Sequence, residues 1–170
     1  MSRLSQPSVA AGAVAATFAA LTVSGSAAAM VVGRDATVCA AGQSSVQVRI
    51  IGLKQASGTI GVSLYDSNGY LKKRGKLRKV EVPVQSAGPV DVCIAVPRPG
   101  RYAVAIHHDL NDNNKKDRND GGGYSRNPRL SIFNLKPGFK ATAFEVGKSP
   151  TRVSVQLMYA NGISIGPVRG

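Results

Sequence analysis

Val90-Asp91-Val92-Cys93-Ile94-Ala95-Val96-Pro97-Arg98-Pro99-Gly100-Arg101-Tyr102-Ala103-Val104-Ala105-Ile106-His107-His108-Asp109 holds the pattern that decides the fold. Val90, Val92, Ile94 and Val96 recur with a period of two, and so do Tyr102, Val104 and Ile106. Alternate residues of a strand point to opposite faces, so each set lines one buried face. Between the runs, Pro97-Arg98-Pro99-Gly100 is turn chemistry. The stretch reads as strand, turn, strand.

The same period extends in both directions. Upstream lie Val46, Val48 and Ile50, then Ile60, Val62 and Leu64, then Val80, Val82 and Val84; downstream lie Ala143 to Val146 and Val153, Val155, Leu157 and Tyr159. Asp66-Ser67-Asn68-Gly69, Ser86-Ala87-Gly88-Pro89 and Lys136-Pro137-Gly138 break the runs as turns do. No window of useful length carries a helical period. The expectation is all-β, a single seven-stranded antiparallel β-sandwich.

The chain begins with a different chemistry. Arg3 precedes an apolar run from Val9 to Val23, and Ser26-Ala27-Ala28-Ala29 offers a small-residue cleavage site. This is the pattern of a secretory signal peptide, and the run is short for a spanning helix, which needs about 20 residues. A retained membrane anchor is the alternative. Val38 before Cys39, with Arg34 and Asp35 nearby, argues against acylation at Cys39. The expected organisation is a signal peptide over 1–29, a flexible segment over 30–42, the sandwich over 43–162 and a tail over 163–170. Periplasmic or secreted residence follows, with no transmembrane segment in the mature chain.

Export bears on the cysteines. Cys39 and Cys93 are the only two, and an oxidising compartment would allow a disulfide between them. Two buried free thiols are the alternative. The formal net charge is +13, from 22 Lys and Arg against 9 Asp and Glu. Cleavage after Ala29 would remove only Arg3 of these charges, so the folded part is basic and should be drawn to anionic surfaces.

Two stretches carry chemistry. Asp109-Leu-Asn111-Asp-Asn113-Asn-Lys115-Lys-Asp117-Arg-Asn-Asp120 places oxygen donors at the first, third, fifth, ninth and twelfth positions of a twelve-residue loop. With the Lys115 carbonyl at the seventh, this is the spacing that wraps Ca²⁺. Asn114 stands where Gly usually turns, and Asn is the next best residue at positive φ. Asp120 is shorter than the usual closing Glu, and Lys115, Lys116 and Arg118 nearly cancel the local acids. Any affinity should then be weak, with a Kd on the order of 10⁻⁴–10⁻³ M. An Asn/Asp-rich turn closed by its own hydrogen bonds is the alternative. The second stretch, Lys72-Lys73-Arg74-Gly75-Lys76-Leu77-Arg78-Lys79, carries six positive charges in eight residues. Between two strands it should be an exposed loop, able to meet the phosphates of lipid headgroups or lipopolysaccharide. Nucleic acid is not expected as a partner, because of export and because only Tyr70 lies near to stack.

Other patterns lead nowhere. His107 and His108 are adjacent on a strand, so one should pack inside while the other faces out. Gly162-Ile163-Ser164-Ile165-Gly166 matches the nucleophile-elbow pattern by letter, but only Pro167 to Gly170 follow, and the Asp and His that the mechanism needs downstream are missing. No phosphate-cradling loop or catalytic cysteine can be argued.

Ile60-Gly-Val62-Ser-Leu64-Tyr65-Asp66, then Pro99 to Asp109, then Asn111-x-Asn113-x-Lys115-x-Asp117 resemble an exported bacterial family known as domain of unknown function 2141. The resemblance runs from about Val46 to Tyr159. It implies a β-sandwich of the prealbumin or carboxypeptidase-regulatory kind, exported and without an established activity. The family's His-Asp-x-Asn-x-Asn-Gly-x-x-Asp element falls on His108, Asp109, Asn111, Asn113 and Asp117. Asn114 replaces the Gly, and Lys116 replaces an apolar residue. Gly121-Gly122-Gly123 is a shortened form of the stretch that follows, and Tyr124-Ser125-Arg126-Asn127 resembles its Phe-Ser-Asn segment. The reading is an exported, non-catalytic, envelope-associated module with a weak Ca²⁺ loop. The alternative is a hydrolase or carbohydrate-processing enzyme built around His108, Asp109 and Glu145.

Overall fold

A computed structural model describes residues 30–168, so the segment 1–29, expected to be a signal peptide, lies outside the described residues. All the expected runs form strands: β1 (Val31–Val32), a short helix α1 (Ala36–Ala40), β2 (Ser45–Ile51), β3 (Thr59–Tyr65), β4 (Arg78–Pro83), β5 (Val90–Ala95), β6 (Gly100–Asp109), β7 (Gly121–Tyr124), α2 (Phe139–Thr142), β8 (Phe144–Val146), β9 (Thr151–Gln156), β10 (Met158–Asn161) and β11 (Ser164–Gly166). The protein is all-β, in two sheets. One has four strands in the order β1-β5-β2-β9; the other has seven, β11-β10-β7-β6-β3-β4 with β8 paired to β6.

Four expectations need correction. The described residues form eleven strands rather than seven. The sheets are not wholly antiparallel, since β1 pairs with β5 and β2 with β9 in parallel. The segment 30–42 is not loose: it supplies β1 and α1, and Asp35 between them is 1% exposed. Likewise β11 orders part of the expected tail. Arg78 explains the N-terminal order, because its guanidinium donates to both carboxylate oxygens of Asp35, which also accepts the Ala95 N–H at 2.9 Å.

The core follows from the period-two faces. Val46, Val48, Ile50, Val92 and Ile94 of one sheet and Ile60, Val62, Leu64, Val104 and Ile106 of the other belong to one buried cluster. Burying such side chains is worth about 1.5–3 kcal/mol each. The run from Val153 to Tyr159 is divided at Leu157, where the chain leaves β9 in the smaller sheet for β10 in the larger. Leu157 itself is fully buried. Such a switch is how corners of sandwiches are made.

The strand β7 sits at this corner and is glycine-rich for a steric reason. A Cβ on Gly121 would lie 2.5 Å from the Tyr159 ring, and one on Gly123 would lie 2.7 Å from Val155. After β7, Arg126 and Asn127 turn at φ 64° and 46°. The Asn127 side chain then clamps β9, donating to Ser154 O at 3.2 Å and accepting the Gln156 N–H at 2.8 Å. Ser125, fully buried, accepts the Val104 N–H at 3.0 Å and donates to Thr142 O at 2.6 Å. The family-like Tyr124 to Asn127 stretch therefore joins structure rather than presenting a site.

Cys39 and Cys93 are bonded, with an S–S distance of 2.02 Å, tying α1 to β5. No helix among the described residues is long and apolar enough to cross a membrane.

Candidate functional site

The Asp109–Asp120 loop hangs from the end of β6. Asp109 is buried, and its carboxylate accepts the N–H groups of Asn113 at 3.3 Å and Asn114 at 2.8 Å. Asn114 takes φ 60°, the left-handed conformation expected of it, and Asp112 takes 55°. Three side chains converge opposite: Asn111 Nδ2 lies 3.0 Å and Asn113 Nδ2 2.6 Å from Asp117 Oδ2. These are the third, fifth and ninth loop positions. Turning either amide by a half-rotation would bring its oxygen to that point, giving donors that suit a hard cation.

The twelfth position does not join them. Asp120 Oδ2 contacts His107 Nε2 at 2.9 Å and accepts the Asp117 N–H at 2.9 Å, while Oδ1 accepts the Leu110 N–H at 3.2 Å. Burial pushes its carboxyl up, but these hydrogen bonds and the His107 ring outweigh that and hold it below the usual value. Lys115 donates its N–H to Asn113 Oδ1 at 2.8 Å. The donor set fits Ca²⁺ in part, without a bidentate closing carboxylate.

Of the three residues of the alternative enzymatic reading, Glu145 stands apart from His108 and Asp109. His108 has no exposed surface; its Nδ1 is 2.7 Å from the Tyr159 hydroxyl and its Nε2 2.9 Å from Ser57 O. Burial, the largest influence, holds its imidazole below the ordinary histidine value. Glu145 faces Arg101 across the other end of β6, eight residues from Asp109. At about 3.3 Å per residue this is a separation of about 26 Å. The histidine that does meet a carboxylate is His107, through Asp120. Ser164 sits in β11, in the hairpin with β10, and no strand–turn–helix elbow forms there.

The basic run divides. Arg78 and Lys79 lie in β4, where Arg78 pairs with Asp35 and Lys79 with Glu81. Lys72, Lys73, Arg74 and Lys76 are exposed on the preceding loop and have no carboxylate within ion-pair distance among the described residues. The loop is pinned at its neck. Asp66 Oδ1 accepts the Gly69 N–H at 2.7 Å, and a Cβ on Gly69 would fall 2.2 Å from Gly75 O. The basic surface continues beyond it. Lys116 is exposed, and partial desolvation, then the charges of Lys76 and Lys136, hold its pKa below the usual lysine value. Sequence gave no sign of this grouping, because the three lysines come from distant loops.

Fold and site together define a disulfide-closed two-sheet β protein with a basic loop and an Asn/Asp-rich loop at strand ends. The chain belongs to the family described as "Uncharacterized protein conserved in bacteria (DUF2141)", whose model matches residues 48–154. No curated protein and no solved structure matches it significantly.

Proposed function

We propose that this protein is an exported, non-catalytic β-sandwich module that docks on an anionic envelope surface through Lys72, Lys73, Arg74 and Lys76. The observation that carries the reading is a rigid-necked loop presenting four cations that have no carboxylate partner among the described residues. A pinned loop loses little conformational freedom on docking, so its charges act together. The ligand chemistry is phosphate, from lipid headgroups or lipopolysaccharide. The Asp109–Asp120 loop is read as a weak Ca²⁺ site of Asn111, Asn113 and Asp117, with Asp109 shaping the turn. The cystine supports export. The distance of Glu145 from His108 and the burial of His108 weigh against the hydrolytic alternative.

Co-sedimentation with vesicles tests the docking. Phosphatidylglycerol vesicles should retain the protein at low salt, and neutral phosphatidylcholine vesicles should not. The triple variant Lys72→Gln, Lys73→Gln, Arg74→Gln should lose about 3 kcal/mol, on the order of a hundredfold in affinity, at about 1 kcal/mol per charge. A parallel arm with lipopolysaccharide aggregates distinguishes the two phosphate sources. Equal retention of the variant would refute the proposal.

A further inference from the structure

A groove of about 420 Å³ lies on the outer face of the seven-stranded sheet, across β7, β10 and β11. Its floor is bare at Gly122, which is paired with His107 on one side and Met158 on the other. Its two glycine neighbours are required by packing, but Gly122 is not. A Cβ there would meet nothing closer than Ile106 O at 3.7 Å. A mid-strand glycine costs stability and marks places where something approaches the backbone closely.

The walls are apolar. Leu130, Ile132, Leu135, Met158, Ala160 and Ile165 all line the groove. Beside the lining residues Ile132 and Gly162, Phe133 is 94% and Ile163 88% exposed. Apolar surface gathered in this way marks a binding site rather than a solvated face. The volume falls in the range of small-molecule sites, about 300–1,000 Å³.

One end of the groove is cationic. Lys116 and Arg118 line it, and neither has a carboxylate within ion-pair distance among the described residues. Two carboxylates share this end, but both are engaged: Asp120 by His107 and backbone N–H groups, Asp117 by Asn111 and Asn113. Arg118 braces the hairpin through Gly162 O at 3.1 Å. Lys136, next to the lining residue Leu135, and Lys76 add positive charge around Lys116.

From these features we infer that the groove binds a single-chain amphiphile with an anionic head, its chain over Gly122 and its head at Lys116. The residues lining the groove lie outside the docking loop, which reaches it only through the charge of Lys76 near Lys116. An apolar chain fills the open floor and covers Ile132 and Leu135, while the head meets the Lys116 ammonium, which has no carboxylate partner among the described residues.

Isothermal titration of the purified protein with dodecanoate below its micelle concentration tests this. The expected result is saturable one-to-one binding, no binding of butyrate, and binding of neutral monolaurin weaker by about tenfold or more. Gly122→Leu fills the floor and should lower dodecanoate affinity by about tenfold or more, as should Ile132→Asp on the wall. Lys116→Gln should erase the preference for dodecanoate over monolaurin. Absence of saturable binding overturns the site, as does unchanged binding by Ile132→Asp, which sits on an exposed segment and settles the matter if Gly122→Leu fails to fold. Equal affinity for monolaurin in the unaltered protein overturns the anionic head.

Discussion

The Tyr159 hydroxyl donates to Nδ1 of His108 at 2.7 Å and accepts the Lys54 N–H at 3.1 Å, linking β10, β6 and the chain after β2. With Nε2–H directed at Ser57 O, the imidazole is neutral and fully satisfied. Tyr159→Phe should therefore cost about 1–3 kcal/mol, because the buried His108 Nδ1 and the part-buried Lys54 N–H both lose their hydrogen bond. A melting point within a degree of the parent would show the network to be dispensable.

The same histidine gives the fold a pH dependence. Burial depresses its folded pKa, whereas an unfolded histidine titrates at about 6.5. The unfolded chain then binds the proton more readily, so stability is intact above about pH 6.5 and declines as pH falls below it. Melting points from pH 7.5 to 5.5 should fall, and His108→Gln should flatten the slope. A flat profile in the unaltered protein would contradict this.

Asp35 produces a second, more acidic transition. Burial alone would raise its pKa, but the Arg78 hydrogen bonds and the Ala95 N–H hold it below the usual carboxylate range. Its contribution is present above the unfolded value of about 3.9 and is lost as pH falls from there toward the depressed folded value. Asp35→Asn should shrink that transition to the part carried by Asp120, whose carboxyl is also held low, and release β1 and α1, detectable as faster amide exchange over residues 31–40.

Replacing both cysteines by serine opens a loop with a sequence separation of 54. The chain-entropy model assigns such a loop about 4 kcal/mol. Denaturant unfolding of Cys39→Ser/Cys93→Ser should show a loss of that order, and a loss under about 1 kcal/mol would mean that the reduced chain is already constrained.

Calcium is best tested through Asp117. Asp109→Ala would remove the acceptor for two backbone N–H groups and unsettle the loop whether or not an ion binds. With Ca²⁺ at about 100 times Kd the gain is about 2.7 kcal/mol, a rise of several degrees in Tm. Asp117→Ala should abolish that rise, and Mg²⁺ should not reproduce it. An equal rise in the variant would move the ion elsewhere.

Where apolar residues alternate, the strands were legible: β2 to β6, β8 and β9 coincide with the period-two runs. The strand β7 was not, because glycines leave no alternation and their necessity lies in Tyr159 and Val155, more than thirty residues away. The division at Leu157 was hidden for a related reason, since an uninterrupted pattern does not reveal which sheet each half joins. Asp35 looked like part of a loose leader; its partner Arg78 lies 43 residues along the chain. The opposite facings of His107 and His108 follow from strand geometry alone. The groove at Gly122 escaped because it is made from four separated segments.

The parallel pairing of β2 with β9 sets a schedule. Val46 lies beside Thr151, so the central strand of the smaller sheet waits for a neighbour made about a hundred residues later. A chain that emerges N-terminus first, from a ribosome or through a membrane pore, can oxidise Cys39 and Cys93 and pair β2 with β5 well before that. One flank of β2 stays open until the chain has emerged past Gln156. Whatever shields that edge in the interval belongs to the biology of this protein as much as its finished surface does.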